Sequence, residues 1–301
     1  MTKRERFEEM VRSMASERFG EGTNVTVTNV LKENGVRLTG LSIKENNSLC
    51  APTCYIDDYY NEDGELEEMA ERAVNAVVHA VTSQEGVDSD ELSFFRSYEK
   101  VKDMICYRVI NAGRNEELLK EIPYIRYHDL AICFYVTIQF KRIGRGTILI
   151  RNGHMEEWGV DADQLMEDAK RNTEKLCGGM MVPMEDILME NLVGVPIQCE
   201  GVSDRESHMR MYVLTNRDRI FGAAVLFYGG WLEKIREKLG NYYIIPSSMH
   251  ELIIVVPPAN EEGDESSLRE IVREVNDKEI APRDYLSDTV YYYDGELRAC
   301  A

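Results

Sequence analysis

The densest run of groups able to do chemistry is Pro246-Ser247-Ser248-Met249-His250-Glu251, set between two apolar stretches. Along an extended chain alternate side chains share a face. Ser248 and His250 therefore point one way, and Ser247 and Glu251 the other. A histidine beside a hydroxyl can activate it as a nucleophile, and a carboxylate can fix the imidazole's tautomer. Ser248, His250 and Glu251 are thus the candidate catalytic residues of a Ser/His-dependent hydrolase or transferase. Triad members usually come from separate elements, however, because neighbours on one strand rarely reach the required geometry. The competing reading is a polar turn that satisfies its own backbone through serine and histidine side chains. That reading carries more weight.

Other polar positions are weaker. His128-Asp129 stands at the entrance to the most apolar strand; a carboxylate raises the pKa of a histidine it faces, but strand neighbours face apart, so a structural role is expected. His154, near Trp158, follows a strand and is no stronger. Asn216, Ser247 and His128 are the candidate ligand-binding residues. Lys141, Arg142, Arg145 and Arg151 gather on one hairpin and could grip a phosphate or carboxylate; a charged, soluble hairpin is the plainer account. Tyr59-Tyr60, Tyr242-Tyr243 and Tyr291-Tyr292-Tyr293 could form a recognition surface, although alternation would also set such rings half inside a core.

No GxGxxG follows a strand, and no Walker loop, GxSxG elbow or HExxH is present. The easy dinucleotide, phosphate, esterase and zincin readings fall away, and no cofactor is expected. Cys50 and Cys54 could offer two metal ligands, but no second Cys/His pair stands at finger spacing, so no metal is expected.

Acidic residues outnumber basic ones 54 to 35, for a formal charge of −19. That field repels phosphate backbones and anionic membranes, disfavouring nucleic acid and membrane as partners. Seven scattered cysteines, with Cys106 and Cys133 inside apolar segments, fit a reducing cytoplasm. The N-terminus lacks the apolar core of a signal peptide, and no run approaches the roughly 20 apolar residues of a membrane-spanning helix.

The elements that must position these residues follow from periodicity. Phe7, Met10, Val11 and Met14 mark a helix over 2–19, stopped by Gly20 and Gly22. Residues 25–30 and 36–43 read as strands around the Asn34-Gly35 turn, with a third strand at 52–56 and a helix after Asp63-Gly64. The polar stretch 83–90 divides an N-terminal α-β-β-α subdomain, 1–90, from a main α+β subdomain, 91–301. Tyr98, Val101, Ile105 and Val109 suggest a helix. Strands follow at 122–127, 130–140 and 147–150, then a helix at 161–176. Strands at 211–214 and 223–228 precede a helix at 231–239. Strands at 242–245 and 252–256 precede a helix at 266–275, and 289–293 is the last strand. Repeated strand–turn–strand–helix order implies a mostly antiparallel sheet with helices on one face, the α+β class. A doubly wound α/β fold is the alternative.

Tyr212-Val-Leu-Thr-Asn216, Phe221-Gly-Ala223, Ile245 to Glu251, and Leu286-Ser-Asp288 with Tyr291 and Tyr293 resemble blocks of a bacterial family, domain of unknown function 5688, common in anaerobic gut Firmicutes. Asn34-Gly-Val36, Pro52-Thr53 with Tyr55, Asn111 and His128-Asp-Leu130 extend the resemblance over nearly the whole chain. The resemblance implies a cytoplasmic location, one shared architecture and no assigned activity or cofactor. It points any site towards Asn216 and residues 247–251, and makes the two subdomains one family unit. The leading expectation is a non-enzymatic cytoplasmic protein that binds a protein partner or small-molecule ligand.

Overall fold

A computed structural model describes residues 1–45, 53–83, 94–140, 144–187, 209–258 and 265–300. The chain forms two units, Met1–Lys100 with Ile138–Gly146, and Val101–Thr137 with Thr147–Ala301. Most of the stretch read from sequence as a boundary, 84–90, lies outside the described residues.

In the first unit Thr2 and Glu5 form a reciprocal capping box that starts α1 (Lys3–Phe19), and Gly20, at φ 75°, follows its last residue. The antiparallel strands β1 (Thr23–Leu31) and β2 (Arg37–Glu45) are joined through Asn34 and Gly35, both at positive φ. Short β3 (Thr53–Tyr55) pairs with β2. Val25 opposes Ile43 and Val27 opposes Leu41, so all four share one face. That face meets Phe7, Val11 and Ala15 of α1 and Ala70, Val74 and Val77 of α2 (Leu66–Ser83) in one core.

The second unit holds two antiparallel sheets. In the smaller, β4 (Ile105–Asn111), β6 (Leu130–Phe140) and β5 (Tyr124–Tyr127) lie in that order, and β7 (Gly144–Leu149) pairs with β6. The larger runs β13 (Leu297–Ala299), β12 (Tyr291–Tyr293), β10 (Tyr242–Ser248), β11 (Glu251–Val256), β9 (Arg210–Thr215), β8 (Met180–Pro183). The longer helices are α3 (Asn152–Trp158), α4 (Ala162–Cys177), α5 (Trp231–Leu239) and α6 (Glu265–Glu279). The class is α+β, as the element order implies, with the strands shared among three sheets. Leu268 and Val272 of α6 pack on the face of the larger sheet that carries Tyr243, Ile245 and Val255. The opposite face presents Tyr242, whose hydroxyl donates to the Leu232 carbonyl of α5 at 2.8 Å.

Two expected elements are otherwise. Residues 105–111 form a strand, not the continuation of a helix, and every one of them is buried. A strand covered on both faces carries apolar residues on each, as Ile105, Cys106, Tyr107, Val109 and Ile110 do here, so a helical spacing can be picked from it by accident. Its free edge is capped by α4: Thr173 Oγ1 accepts from the Tyr107 N–H at 3.1 Å, and Asn172 Nδ2 donates to the Ile105 carbonyl at 3.0 Å. Residues 222–227 form a 3₁₀ turn, not a strand. β9 is already flanked by β8 and β11, so this apolar segment has no sheet edge to join and buries itself as a compact turn. The tyrosines of β10 and β12 are largely buried cross-strand pairs, Tyr242 with Tyr293 and Tyr243 with Tyr292, rather than a recognition surface.

A half-buried carboxylate anchors the segment before β12. Asp129 accepts from the hydroxyls of Ser287, Thr289 (3.1 Å) and Tyr291 (2.5 Å), filling both carboxylate oxygens. Burial, and then this bond to Asp129, holds the Tyr291 phenol far above its ordinary pKa. Replacing Asp129 by Ala strands three hydroxyls, one of them on a fully buried tyrosine. Chemical denaturation is expected to show a loss of about 3 kcal/mol or more.

Candidate functional site

The sequence-predicted residues lie where the β10–β11 hairpin meets two connecting segments. Ser248 opposes Glu251 across a two-residue turn, and Ser248 Oγ accepts from the His250 N–H at 3.1 Å. Ser247 and Ser248 are buried. The backbone of the hairpin end is tied to the segment before β12: Leu286 N–H donates to Ser247 O at 3.0 Å, Ser287 N–H to Pro246 O at 2.9 Å, and Met249 N–H to Asp284 O at 2.8 Å.

His250 is half-buried and engaged at both ring nitrogens. Its Nδ1 accepts from the Phe221 N–H at 3.2 Å, and its Nε2 lies 3.4 Å from Asp284 Oδ1. With Nδ1 accepting, the neutral ring carries its proton on Nε2, directed at the carboxylate. Neither serine hydroxyl is hydrogen-bonded to the imidazole, and the carboxylate that meets it belongs to Asp284. Glu251 begins β11 instead. Ser248 and His250 are therefore joined through the His250 backbone, the geometry of a polar turn.

Asn216 is buried and folds the next loop around itself: Nδ2 donates to Ile220 O at 2.7 Å and Oδ1 accepts from Ile220 N–H at 3.3 Å. Arg217 N–H donates to Cys177 O, and Arg219 N–H to Asn216 O, both at 3.1 Å. Arg219 and Phe221 sit at φ 52° and 55°, a region costly for side chains of their size. Phe221 stacks on His250 (ring centroids 5.8 Å apart, 17° between planes), and the buried Arg108 guanidinium lies 4.8 Å from its centroid. Gly222 follows because nothing larger fits. A Cβ there would collide with Thr215 Oγ1, the His250 carbonyl oxygen and Asn216 N.

His128 is away from this cluster. It turns the β5–β6 hairpin at φ 52°, exposed, its ring edge-on to Tyr127 at 4.7 Å. His154 caps α3, its Nδ1 accepting the Arg151 N–H at 3.1 Å, and Arg151 pairs with Glu121. Lys141 and Arg142 lie outside the described residues, as do Cys50 and the side chain of Arg145. Among the described residues no group of three or more His, Cys, Asp or Glu could hold a metal, and no helix is long and apolar enough to cross a membrane.

Sequence reasoning missed Asp284, Phe221 and Arg108. Asp284 is 34 residues from its histidine; Arg108 sat in a segment assigned to a helix, and Phe221 in a connection given no element. The one available signal was Phe221-Gly222-Ala223, already among the family-like blocks.

Residues 4–295 match the sequence profile of a family of unknown function (DUF5688). No curated protein and no solved structure matches the chain.

Gly222→Ala is expected to cost about 3 kcal/mol or more, because the colliding atoms are backbone and a hydrogen-bonded hydroxyl. Gly229→Ala meets nothing within 4 Å and should change stability by less than about 0.5 kcal/mol. Thermal denaturation of both variants checks the contrast.

Proposed function

The chain belongs to this family of unknown function, and from the geometry of its own residues we propose that it is a non-enzymatic binding protein. Its recognition element is the loop from Asn216 to Phe221, and its ligand is a protein partner. One observation carries this reading. The loop is fixed by hydrogen bonds at Arg217, Arg219, Ile220 and Phe221, with two residues held at positive φ, yet it leaves the Ile220 side chain 55% exposed. Backbone held in costly conformations by surrounding bonds is characteristic of functional loops. A loop ordered beforehand also loses little entropy on binding. Ile220 supplies an apolar anchor beside the exposed, charged run Arg217-Asp218-Arg219.

The Ser/His-dependent hydrolase finds less support, since the imidazole is occupied by a backbone N–H and Asp284 while Ser248 Oγ faces the backbone. The same reading assigns the protein to the cytoplasm: Cys54, Cys106, Cys133, Cys177 and Cys300 are not joined in disulfides, in keeping with a reducing compartment.

The test compares affinity capture from a lysate of the source organism by the wild-type chain, Ile220→Asp and Ile271→Asp. Ile271 is equally exposed, on α6. A partner retained by wild type and Ile271→Asp but reduced at least about tenfold for Ile220→Asp supports the loop. Equal retention by both variants removes the loop from recognition. Labelling of Ser247 or Ser248 by a fluorophosphonate would favour the hydrolase.

A further inference from the structure

The first unit carries a feature that the proposed recognition loop does not use, an unguarded sheet edge. β1 pairs with β2 on one side, in unbroken register from Thr23 to Leu31. Among the described residues no other strand joins it, so its second side is an edge of the three-stranded sheet. The direction of its backbone groups follows from β2. Thr39, opposite Asn29, turns away from β1: its N–H donates to Asp57 Oδ2 at 2.8 Å, and its carbonyl accepts from the Ile56 N–H at 3.0 Å. Opposite residues in an antiparallel ladder either exchange bonds or both face away, in alternation. The N–H and C=O of Asn29 therefore point out of the free edge, and those of Thr23, Val25, Val27 and Leu31 with them. Among the described residues no backbone group bonds to them there.

Soluble proteins blunt such edges with lysine, proline, a bulge or a short strand. β1 has none of these. Its nine residues, Thr-Asn-Val-Thr-Val-Thr-Asn-Val-Leu, hold no charge, proline or glycine. Asn24, Thr26, Thr28 and Asn29 are all exposed. An uncharged strip offers no carboxylate to a basic segment and no cation to an acidic one. It does complement its own copy. With a twofold axis through Thr26, Val25 of one copy opposes Val27 of the other and Thr26 opposes Thr26. Asn24 then opposes Thr28, and Thr23 opposes Asn29. Apolar meets apolar and polar meets polar at every position, the pairings that stabilise a ladder. The outward groups of Thr23, Val25, Val27 and Asn29 exchange about eight hydrogen bonds in this register. Each copy has a formal charge of −19, and a contact free of charge is the one that this repulsion opposes least.

We propose that β1 is a self-association edge: two copies of the chain pair β1 to β1, antiparallel about Thr26, and merge their three-stranded sheets into one of six. A twofold contact of this kind uses the same strip on both subunits and closes on itself. Adding a strand to an open edge is a general mode of association, with main-chain bonds giving affinity and alternate side chains giving specificity.

The test is sedimentation equilibrium of the full chain at micromolar concentrations, for wild type, Asn29→Pro and Thr26→Lys. Asn29→Pro removes an outward N–H without touching the bonds to β2, and proline is tolerated on that side of an edge strand. Thr26→Lys sets two like charges face to face at the axis. Wild type is expected to dimerise, and each variant to weaken the dimer at least about tenfold while keeping the wild-type circular dichroism spectrum. Under a mild thiol oxidant Thr26→Cys should cross-link two copies, since pairs of this kind bring Cα atoms about 4.5 Å apart, and Thr28→Cys should not. A monomeric wild type would overturn the proposal and leave the edge to an extended segment of another protein. A dimer that both variants keep, or one cross-linked by Thr28→Cys and not by Thr26→Cys, would overturn it as well.

Discussion

A carboxylate in the middle of the second unit sets the terms for everything around it. Asp129 stands just before β6 and after the left-handed His128, half-buried, and both of its oxygens are engaged by protein donors. Three hydroxyls from residues 287–291 supply them, while the Asp129 carbonyl accepts the Ala112 N–H at 2.8 Å. Charge-assisted hydrogen bonds are roughly twice as strong as neutral ones. The segment between α6 and β12 consequently has one position available to it, against the β5–β6 turn. The smaller sheet and the larger sheet of this unit are joined at that point.

Once the segment is placed, its neighbours follow. Asn111 Nδ2 donates to Leu286 O at 2.8 Å from β4, and Asn276 Nδ2 donates to Ser287 O at 2.9 Å from α6. Tyr285 bridges to Ser248, and Arg114 lies 3.4 Å over the Tyr285 ring. Burial, followed by the nearby Asp288, pushes that phenol up to about 12. Asp284 arrives beside His250 because the same segment is pinned at Leu286 and Ser287. The His250–Asp284 pair is thus a consequence of the Asp129 hub, and the Phe221 N–H fills the remaining nitrogen. A histidine arranged this way ties the Phe221 N–H to the segment that carries Asp284.

Much of the fold was legible because one-sided elements write their burial into the sequence. The α1 stripe, the Asn34-Gly35 hairpin and the α4 start at Asp161 all carry local signals whose partners lie within a few residues. β4 and residues 222–227 did not, because both are buried all round and periodicity has nothing to contrast. β13 was missed because three residues at a sheet edge make no pattern. The site was half legible. Ser247, Ser248, His250 and Asn216 do come together with Phe221, but adjacency in sequence suggested Glu251 as the carboxylate. The partner came from 34 residues away, through contacts that only the tertiary structure creates.

Left-handed backbone occurs in both polar regions. Beside Asp129 it is confined to His128 in the β5–β6 turn, and residues 287–291 all keep φ outside that region. Between Asn216 and Gly222 two large residues sit at positive φ, where conformations of this kind cost of order 1–3 kcal/mol each. Gly222 is pressed against Thr215 and the His250 carbonyl, so the chain cannot relax on that side. Asn216 closes the other side through Ile220. The shape seats Phe221 against the buried Cys106, Tyr135 and Cys177 and on His250, and so holds the exposed Ile220 at one place. A surface residue so positioned by buried groups suits the binding role proposed for this loop.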